Sequence, residues 1–332
     1  MYDFKDSKTS GTVVVTKIWE DNLSNDERPM PDVSISTVKP RKNPLGYTIT
    51  YHGNGLAFAD GTTENEIIVN SSGKIVSGQY MELPDSFGWY SDSACTQKIE
   101  IGSDGLPVNG IISDIDLYAK PKTFVLKTGS DFNKLIPSTA TSVVFSDEAM
   151  PASAELIDVD ADGDGGIVAW MDETTMKVST QIKGLKIQAD PSSYRMFYDK
   201  SNLKNIDLTM LDTQKVTNMS YMFYSCNGLT ALDLAPLNTQ NVTNMGSMFT
   251  YCSGLTSLDL TPLNTSNVTY MDSMFSGCSN LTNLSLGEKF AFVGSNYSLP
   301  SGTWYSSDGT AYTSDGATCT IPNNKADTYT RK

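Results

Sequence analysis

Between residues 191 and 290 the apolar positions return at a fixed offset. They fall at Val216, Met219, Met222, Phe223 and Cys226, then at Leu229, Leu232 and Leu234, and the same set restarts 26 residues on at Val242 and again at Val268. A worn copy precedes them: Met196, Phe197, Leu203, Ile206, Leu208 and Leu211 stand one repeat before Met222, Phe223, Leu229, Leu232, Leu234 and Leu237. Recurrence every three or four residues predicts one buried face of a helix, and the alternation at Leu232–Leu234 predicts a short strand. Asn-Gly, Ser-Gly or Ser-Asn separates the two halves, and Pro236 and Pro262 follow the strand, where a ladder donor is no longer needed. One such unit cannot bury its apolar face alone, so the four copies (190–215, 216–241, 242–267 and 268–290) are expected to stack. The fold class this predicts is a short α/β leucine-rich-repeat solenoid, with strands lined up as a parallel sheet on one face and helices on the other.

The rest of the chain reads as strands. Residues 1–10 look like a flexible leader, and 11–44 hold the runs VVVTKIW and DVSIST around a polar loop, ending in a PRKNP linker. Residues 45–122 open with the alternating GYTITYHG and close with IDLYAKPK. Residues 123–190 contain TFVLKTG, SVVFSDE, GGIVAWMD and MKVST, short β-runs between turn residues that would cap the N-terminal end of the solenoid. Residues 291–332 carry two Ser-Asp-Gly turns and are expected to form a small β C-cap with a frayed tail. The prediction is multi-domain, with N-terminal all-β modules followed by a capped solenoid.

Three stretches resemble known families. The repeats, in the form VTNMSYMFYSCNGLTALDL, resemble the BspA-type leucine-rich repeat of bacterial surface proteins. That resemblance implies an extracellular, cell-surface protein with adhesive or interaction roles. Phe87, Gly88, Trp89, Tyr90, Asp92, Cys95, Leu117, Tyr118, Ala119 and Lys120 resemble the skeleton of the Listeria–Bacteroides repeat, or internalin B-repeat, which implies a β-grasp-like module. Pro121 stands where that family usually has Trp. The run VTKIWEDN resembles the first strand of a Cna B-type domain, which implies a candidate isopeptide lysine at Lys17, although the later strands with the acid and the Asn partner are not recognisable. An ordinary strand lysine is the plainer reading.

Composition narrows the functions. At 332 residues with a formal net charge of −14 and no Lys/Arg cluster, the chain lacks the electrostatic footprint of a nucleic-acid binder. No apolar run approaches the roughly 20 residues of a membrane helix. The opening MYDFKDSKTSGT has no apolar stretch of signal-peptide type, and the composition favours a mature or truncated exported chain. With one histidine, His52, metal centres built from several histidines are excluded, and no phosphate-loop or nucleophile-elbow motif marks a triad. The five cysteines fit no zinc spacing, and Cys226, Cys252 and Cys278 occupy one repeat position, as buried small apolar residues would. No cofactor is expected.

Candidate site residues follow from the repeat. Asp207, Asp233 and Asp259 sit between inward leucines and are expected to point out of the sheet as an acidic stripe, beside Ser257, Thr261, Asn283 and Ser285. Such a row spaces carboxylates about as a retaining glycosidase pair does, but it arises from repetition and carries no acid/base asymmetry, so a solvated stripe is the favoured reading. The opposite side offers Tyr198, Tyr221, Tyr224, Tyr251 and Tyr270, and a methionine row read as core filling. DVDADGDGG places Asp158, Asp160 and Asp162 at positions 1, 3 and 5 of a calcium loop, but position 12 is Ala169, so a solvated turn is preferred to a metal site. The expected function is non-enzymatic: a bacterial cell-surface adhesin binding a host or microbial surface protein or glycan through the solenoid. The alternatives are a structural spacer or self-assembling surface component, and a cell-wall glycan binder using Trp89 or Trp304, which needs exposed rings.

Overall fold

The chain opens with a strand where a leader is expected: β1 (Tyr2–Asp6) pairs antiparallel with β2 (Val13–Lys17). The computed structural model describes residues 2–6, 13–17, 46–83, 86–323 and 325–332. The polar loop, the DVSIST strand and the PRKNP linker therefore lie outside the described residues, as does the Lys17 side chain that the isopeptide expectation concerns. Two compact units make up the chain, Met1–Pro44 and Leu45–Lys332.

The second unit begins with a six-stranded mixed sheet. Its strands are β3 (Tyr47–His52), β4 (Glu64–Val69), β5 (Ile75–Ser77), β6 (Ser86–Tyr90), β7 (Lys98–Ile99) and β8 (Ile115–Pro121), in the order β5-β4-β3-β8-β6-β7. Central β3 pairs antiparallel with β4 and parallel with β8. Alternation decides its faces, since Ile49 and Tyr51 are buried while their neighbours are half-exposed. Tyr51 packs edge-on against Tyr80 and Trp89, and the Trp89 Nε1–H donates to the Tyr80 hydroxyl at 3.2 Å. The pairing of β6 with β8 shifts register between Ser86 and Trp89, and Gly88 supplies the positive φ of 141° in this shift.

A short helix, α1 (Gly129–Leu135), follows; the Thr128 side chain accepts from Asp131 N at its N-cap. It is the one helix among the described residues, and no helix there is long and apolar enough to cross a membrane. Next come β9 (Ser142–Ser146), β10 (Ile157–Asp158), β11 (Val168–Asp172), β12 (Thr175–Ser179) and β13 (Ile187–Gln188). The repeats contribute β14 (Asn205–Asp207), β15 (Leu211–Asp212), β16 (Ser257–Leu260) and β17 (Asn283–Leu286), and the chain ends with β18 (Gly302–Tyr305), β19 (Ala311–Ser314) and β20 (Asp327–Arg331). These strands form sheets ordered β10-β11-β12-β9-β14, β13-β15 and β16-β17-β20-β18-β19.

This arrangement corrects the predicted α/β solenoid on two counts. First, the helical half of each repeat is a run of turns. Met222, Tyr224 and Cys226 donate their N–H groups three residues back, to Met219, Tyr221 and Phe223, whereas Met219, Tyr221, Phe223 and Ser225 donate to Asn244, Gly246, Met248 and Thr250 of the next copy. An α-helix needs every such N–H for its own i−4 carbonyl, so it cannot coexist with these bonds. Two residues per copy reach positive φ, at Arg195 and Asp199, Tyr221 and Ser225, Ser247 and Tyr251, and Ser273 and Gly277. A turn of three or four residues brings every third or fourth side chain inside, so it produces the same apolar spacing as a helix. Second, no continuous sheet joins the repeats. β14 pairs with β9, β16 pairs with β17, and Ala231–Leu234 belongs to no strand. Leu232 and Leu234 are nevertheless buried, because placing leucines inside does not require a ladder.

The copies are joined by their interior. Phe197, Phe223, Phe249 and Phe275 are fully buried and stack with centroids 5.5, 5.7 and 6.2 Å apart. Cys226, Cys252 and Cys278 donate their thiols to the carbonyls of Phe197, Phe223 and Phe249 at 3.1, 2.9 and 3.0 Å. Buried Thr213 and Thr239 each bridge to the next copy, their hydroxyls donating to Asn238 O and Asn264 O at 3.0 Å. The methionine row, from Met196 to Met274, lies in the same core.

Candidate functional site

The acidic row spends its carboxylates locally. Oδ1 of Asp207, Asp233 and Asp259 accepts the backbone N–H two residues on, from Thr209, Ala235 and Thr261, at 2.9 Å in each case. Each aspartate therefore closes an Asx turn at the end of the strand-like segment, which explains its recurrence without a ligand. Asp233, Asp259, Ser257 and Thr261 are exposed, and Asp207 is half-buried. A shallow groove of about 390 Å³ runs between Asn205–Thr209 and Ala231–Pro236. Asn283 and Ser285 are already engaged by β20: Thr330 Oγ1 donates to Asn283 Oδ1 at 3.2 Å, and Ser285 Oγ lies 3.0 Å from Thr328 Oγ1.

On the turn side the tyrosines form a connected surface. Tyr198 stacks on Tyr224 at 4.7 Å, and Tyr224 meets Tyr251 edge-on at 5.5 Å. Tyr221 contacts Tyr194, Tyr198 and Tyr224 at 5.8, 6.4 and 5.6 Å. The exposed Arg195 guanidinium lies over three of these rings, 5.0 Å from Tyr194, 4.6 Å from Tyr198 and 5.6 Å from Tyr221. Partial burial, then the neighbouring Tyr198 and Tyr251, pushes the Tyr224 hydroxyl above its ordinary range.

Glycines seat the two most exposed rings. Tyr251 is 51% exposed and Tyr270 50%. A Cβ on Gly246 would stand 2.4 Å from Cε1 of Tyr270, and one on Gly277 would stand 2.3 Å from Cδ1 of Tyr251. Each ring thus occupies space that a side chain at the glycine would fill, while about half of the tyrosine stays in water. Ring ordering is thereby completed on folding, which lowers the entropy cost of a later contact.

The Asp-rich loop is a second cluster. Oxygens of Asp160, Asp162 and Asp164 converge to within 4.8 Å of one another. Asp158 stands apart from this trio: it pairs with Lys127 at 3.1 Å and accepts the Asp160 N–H at 3.0 Å. Asp162 pairs with Lys120 of β8 at 2.9 Å. Asp164 accepts from Thr123 N and from Gly166 N at 2.8 Å. Asp160 is fully buried; its Oδ2 accepts from Ile167 N at 2.9 Å, and its Oδ1 has no partner. Burial, and after it the Asp164 and Asp162 carboxylates, pushes Asp160 well above the usual carboxylate range.

The remaining groups are interior or already paired. Trp89 is 4% exposed and Trp304 0%, so neither ring offers a sugar platform. His52 bridges Glu64 and Asp116 at 2.9 and 3.0 Å and stacks on Tyr118 at 4.7 Å. Burial pushes the Cys226 and Cys278 thiols up to about 12, the opposite of a reactive thiolate.

Sequence reasoning passed over Arg195, Asp164 and the seats Gly246 and Gly277. Gly277 carries a legible signal, since it replaces the Asp199, Ser225 and Tyr251 of the other copies. No curated protein and no solved structure matches the chain. Residues 192–291, the four copies and little else, match a family model described as "Mycoplasma protein of unknown function, DUF285".

Proposed function

We propose that the chain is a non-enzymatic, extracellular binding protein of a bacterial surface, which engages a host or microbial surface ligand through the tyrosine–arginine face of the repeats. The observation that carries this reading is the ring surface of Tyr194, Tyr198 and Tyr221 around Arg195, which continues through Tyr224 to the half-exposed Tyr251 seated on Gly277. Tyrosine and arginine dominate the energetics of interfaces, and rigid rings lose little entropy when they are covered. The acidic row is less suited, since its carboxylates already cap turns. The resemblance of the repeats to bacterial surface proteins supports the location.

The second reading is a self-assembling spacer; β20 pairs with β17, so strand addition would have to use the outer strands β16 or β19 of that sheet. The test is binding of the full chain to a panel of matrix proteins and surface glycans, followed by Arg195→Ala, Tyr251→Ser and the double change Asp233→Ala with Asp259→Ala. Loss of a saturable hit with the first two and retention with the double change is the expected result. Loss with the aspartate pair alone moves the site to the strand side. No saturable binding, together with concentration-dependent oligomers by light scattering, overturns the reading in favour of the spacer.

A further inference from the structure

We propose that the loop Asp158–Gly166 binds one calcium ion through the carboxylates of Asp160, Asp162 and Asp164. Three ionised carboxylates within 4.8 Å repel one another, and a cation between them relieves that repulsion. The second observation is independent of the clustering: Asp160 Oδ1 belongs to a side chain with no exposed surface and has no hydrogen-bond partner. A buried, unpaired carboxylate oxygen is costly, and a coordinated cation removes that cost. The local lysines do not suffice. With the four carboxylates of Asp158, Asp160, Asp162 and Asp164 all ionised, Lys120 and Lys127 offset two of the charges and two negative charges remain. One divalent ion balances them.

The donor set selects the metal. All the converging donors are hard oxygens, which excludes the thiolate and imidazole chemistry of zinc or copper. The geometry also fixes the frame: Asp160, Asp162 and Asp164 take positions 1, 3 and 5, and Gly165, with φ of 74°, takes the sharp turn at position 6. Position 12 is then Met171, so no bidentate carboxylate closes the shell, and water and backbone carbonyls would complete it. Calcium tolerates such irregular, hydrated coordination better than magnesium does. The affinity expected without the closing carboxylate is that of extracellular modules, with Kd on the order of 10⁻⁴–10⁻³ M.

The position of the loop gives the ion a role. Lys120 leaves β8, the Thr123 N–H is held by Asp164, and a Cβ on Gly166 would stand 1.8 Å from the Thr123 carbonyl oxygen. The loop thus lies against the segment that leads out of the six-stranded sheet, while β10 and β11 flank it on the other side. A bound ion would tighten this junction.

The test is calorimetric titration of CaCl₂, then of MgCl₂, into the EDTA-treated full chain, with Tm measured in parallel. One saturable calcium site, a higher Tm and weaker magnesium binding are expected. Asp160→Asn and Asp164→Asn should each weaken calcium roughly tenfold or more, and Asp158→Asn, outside the trio, less than about threefold. No saturable heat on the unmodified chain across the millimolar range overturns the proposal whatever the variants do. Calcium binding that survives Asp160→Asn unchanged overturns it equally.

Discussion

Replacing Phe249 by alanine tests whether the stacked rings are what hold the copies together. Phe249 is fully buried, with Phe223 at 5.7 Å on one side and Phe275 at 6.2 Å on the other. Truncating a buried Phe costs about 3–5 kcal/mol, the spread reflecting how far the surroundings collapse into the void. Collapse is restricted here. Phe223 N–H is bonded to Met248 O, Phe249 N–H to Met274 O, and the Cys278 thiol to Phe249 O, so both flanking rungs are fixed by backbone contacts that the substitution leaves intact. The two ring contacts, each contributing about 0.5–1.5 kcal/mol, are lost outright. The expected loss is therefore at the upper end, about 4–5 kcal/mol. With a urea m-value of about 3 kcal/mol/M, the unfolding midpoint falls by roughly 1.3–1.7 M. Far-UV circular dichroism in urea reads this directly, and Tyr251→Ala is the internal control. Half of that ring is already in water, so its loss should cost about 1 kcal/mol. A Phe249→Ala cost below about 1.5 kcal/mol, or one equal to that of Tyr251→Ala, would refute the reasoning.

Gly277→Ala should destabilise the unit by about 1–2 kcal/mol, because φ is 72° there, and should shift the Tyr251 ring resonances in NMR spectra because that ring loses its seat. Titration with a thiol reagent should leave Cys226, Cys252 and Cys278 unreacted in the native chain and open all three together in denaturant, since they are buried and their pKa values are raised by burial. Reaction of any of the three in the native state counts against the described packing. Hydrogen bonds from Ser306 and Thr310 hold Asp308 far below its ordinary 3.8. A depressed folded-state pKa stabilises above the unfolded value and loses that stabilisation as pH falls through the folded one, so the contribution fades below about pH 3.8. Asp308→Asn should accordingly flatten the fall of Tm on acidification, and an unchanged Tm–pH curve would exclude the effect.

The interior of the repeats is legible in the sequence. Val216, Met219, Met222, Phe223, Cys226 and Leu229 are all fully buried, as are Met245, Met248, Phe249 and Cys252 one repeat later. Burial at a recurring position demands an apolar side chain whatever the backbone does, so a strict 26-residue offset writes the core into the chain. The backbone was not legible, for the same reason. An apolar residue every third or fourth position satisfies a helix and a run of turns alike, and only the destination of each N–H separates them. The composition did hold a hint, because Ser, Thr, Asn and Gly crowd these segments and favour turns over helix interiors.

Candidate sites divided along the same line. The sequence placed Asp207, Asp233 and Asp259 between inward leucines, pointing out of a sheet, but their capture by Thr209, Ala235 and Thr261 N–H groups is a matter of local geometry. The aspartate pattern 158–164 admits two calcium frames, and the fold chose between them by pairing Asp158 with Lys127 and burying Asp160 beside Asp164. What the sequence determined alone was which side chains must leave water, since that preference belongs to each residue. Which hydrogen-bond partner each backbone group finds, and which carboxylate lacks one, depended on segments tens of residues apart meeting in space, and only the tertiary structure decided it.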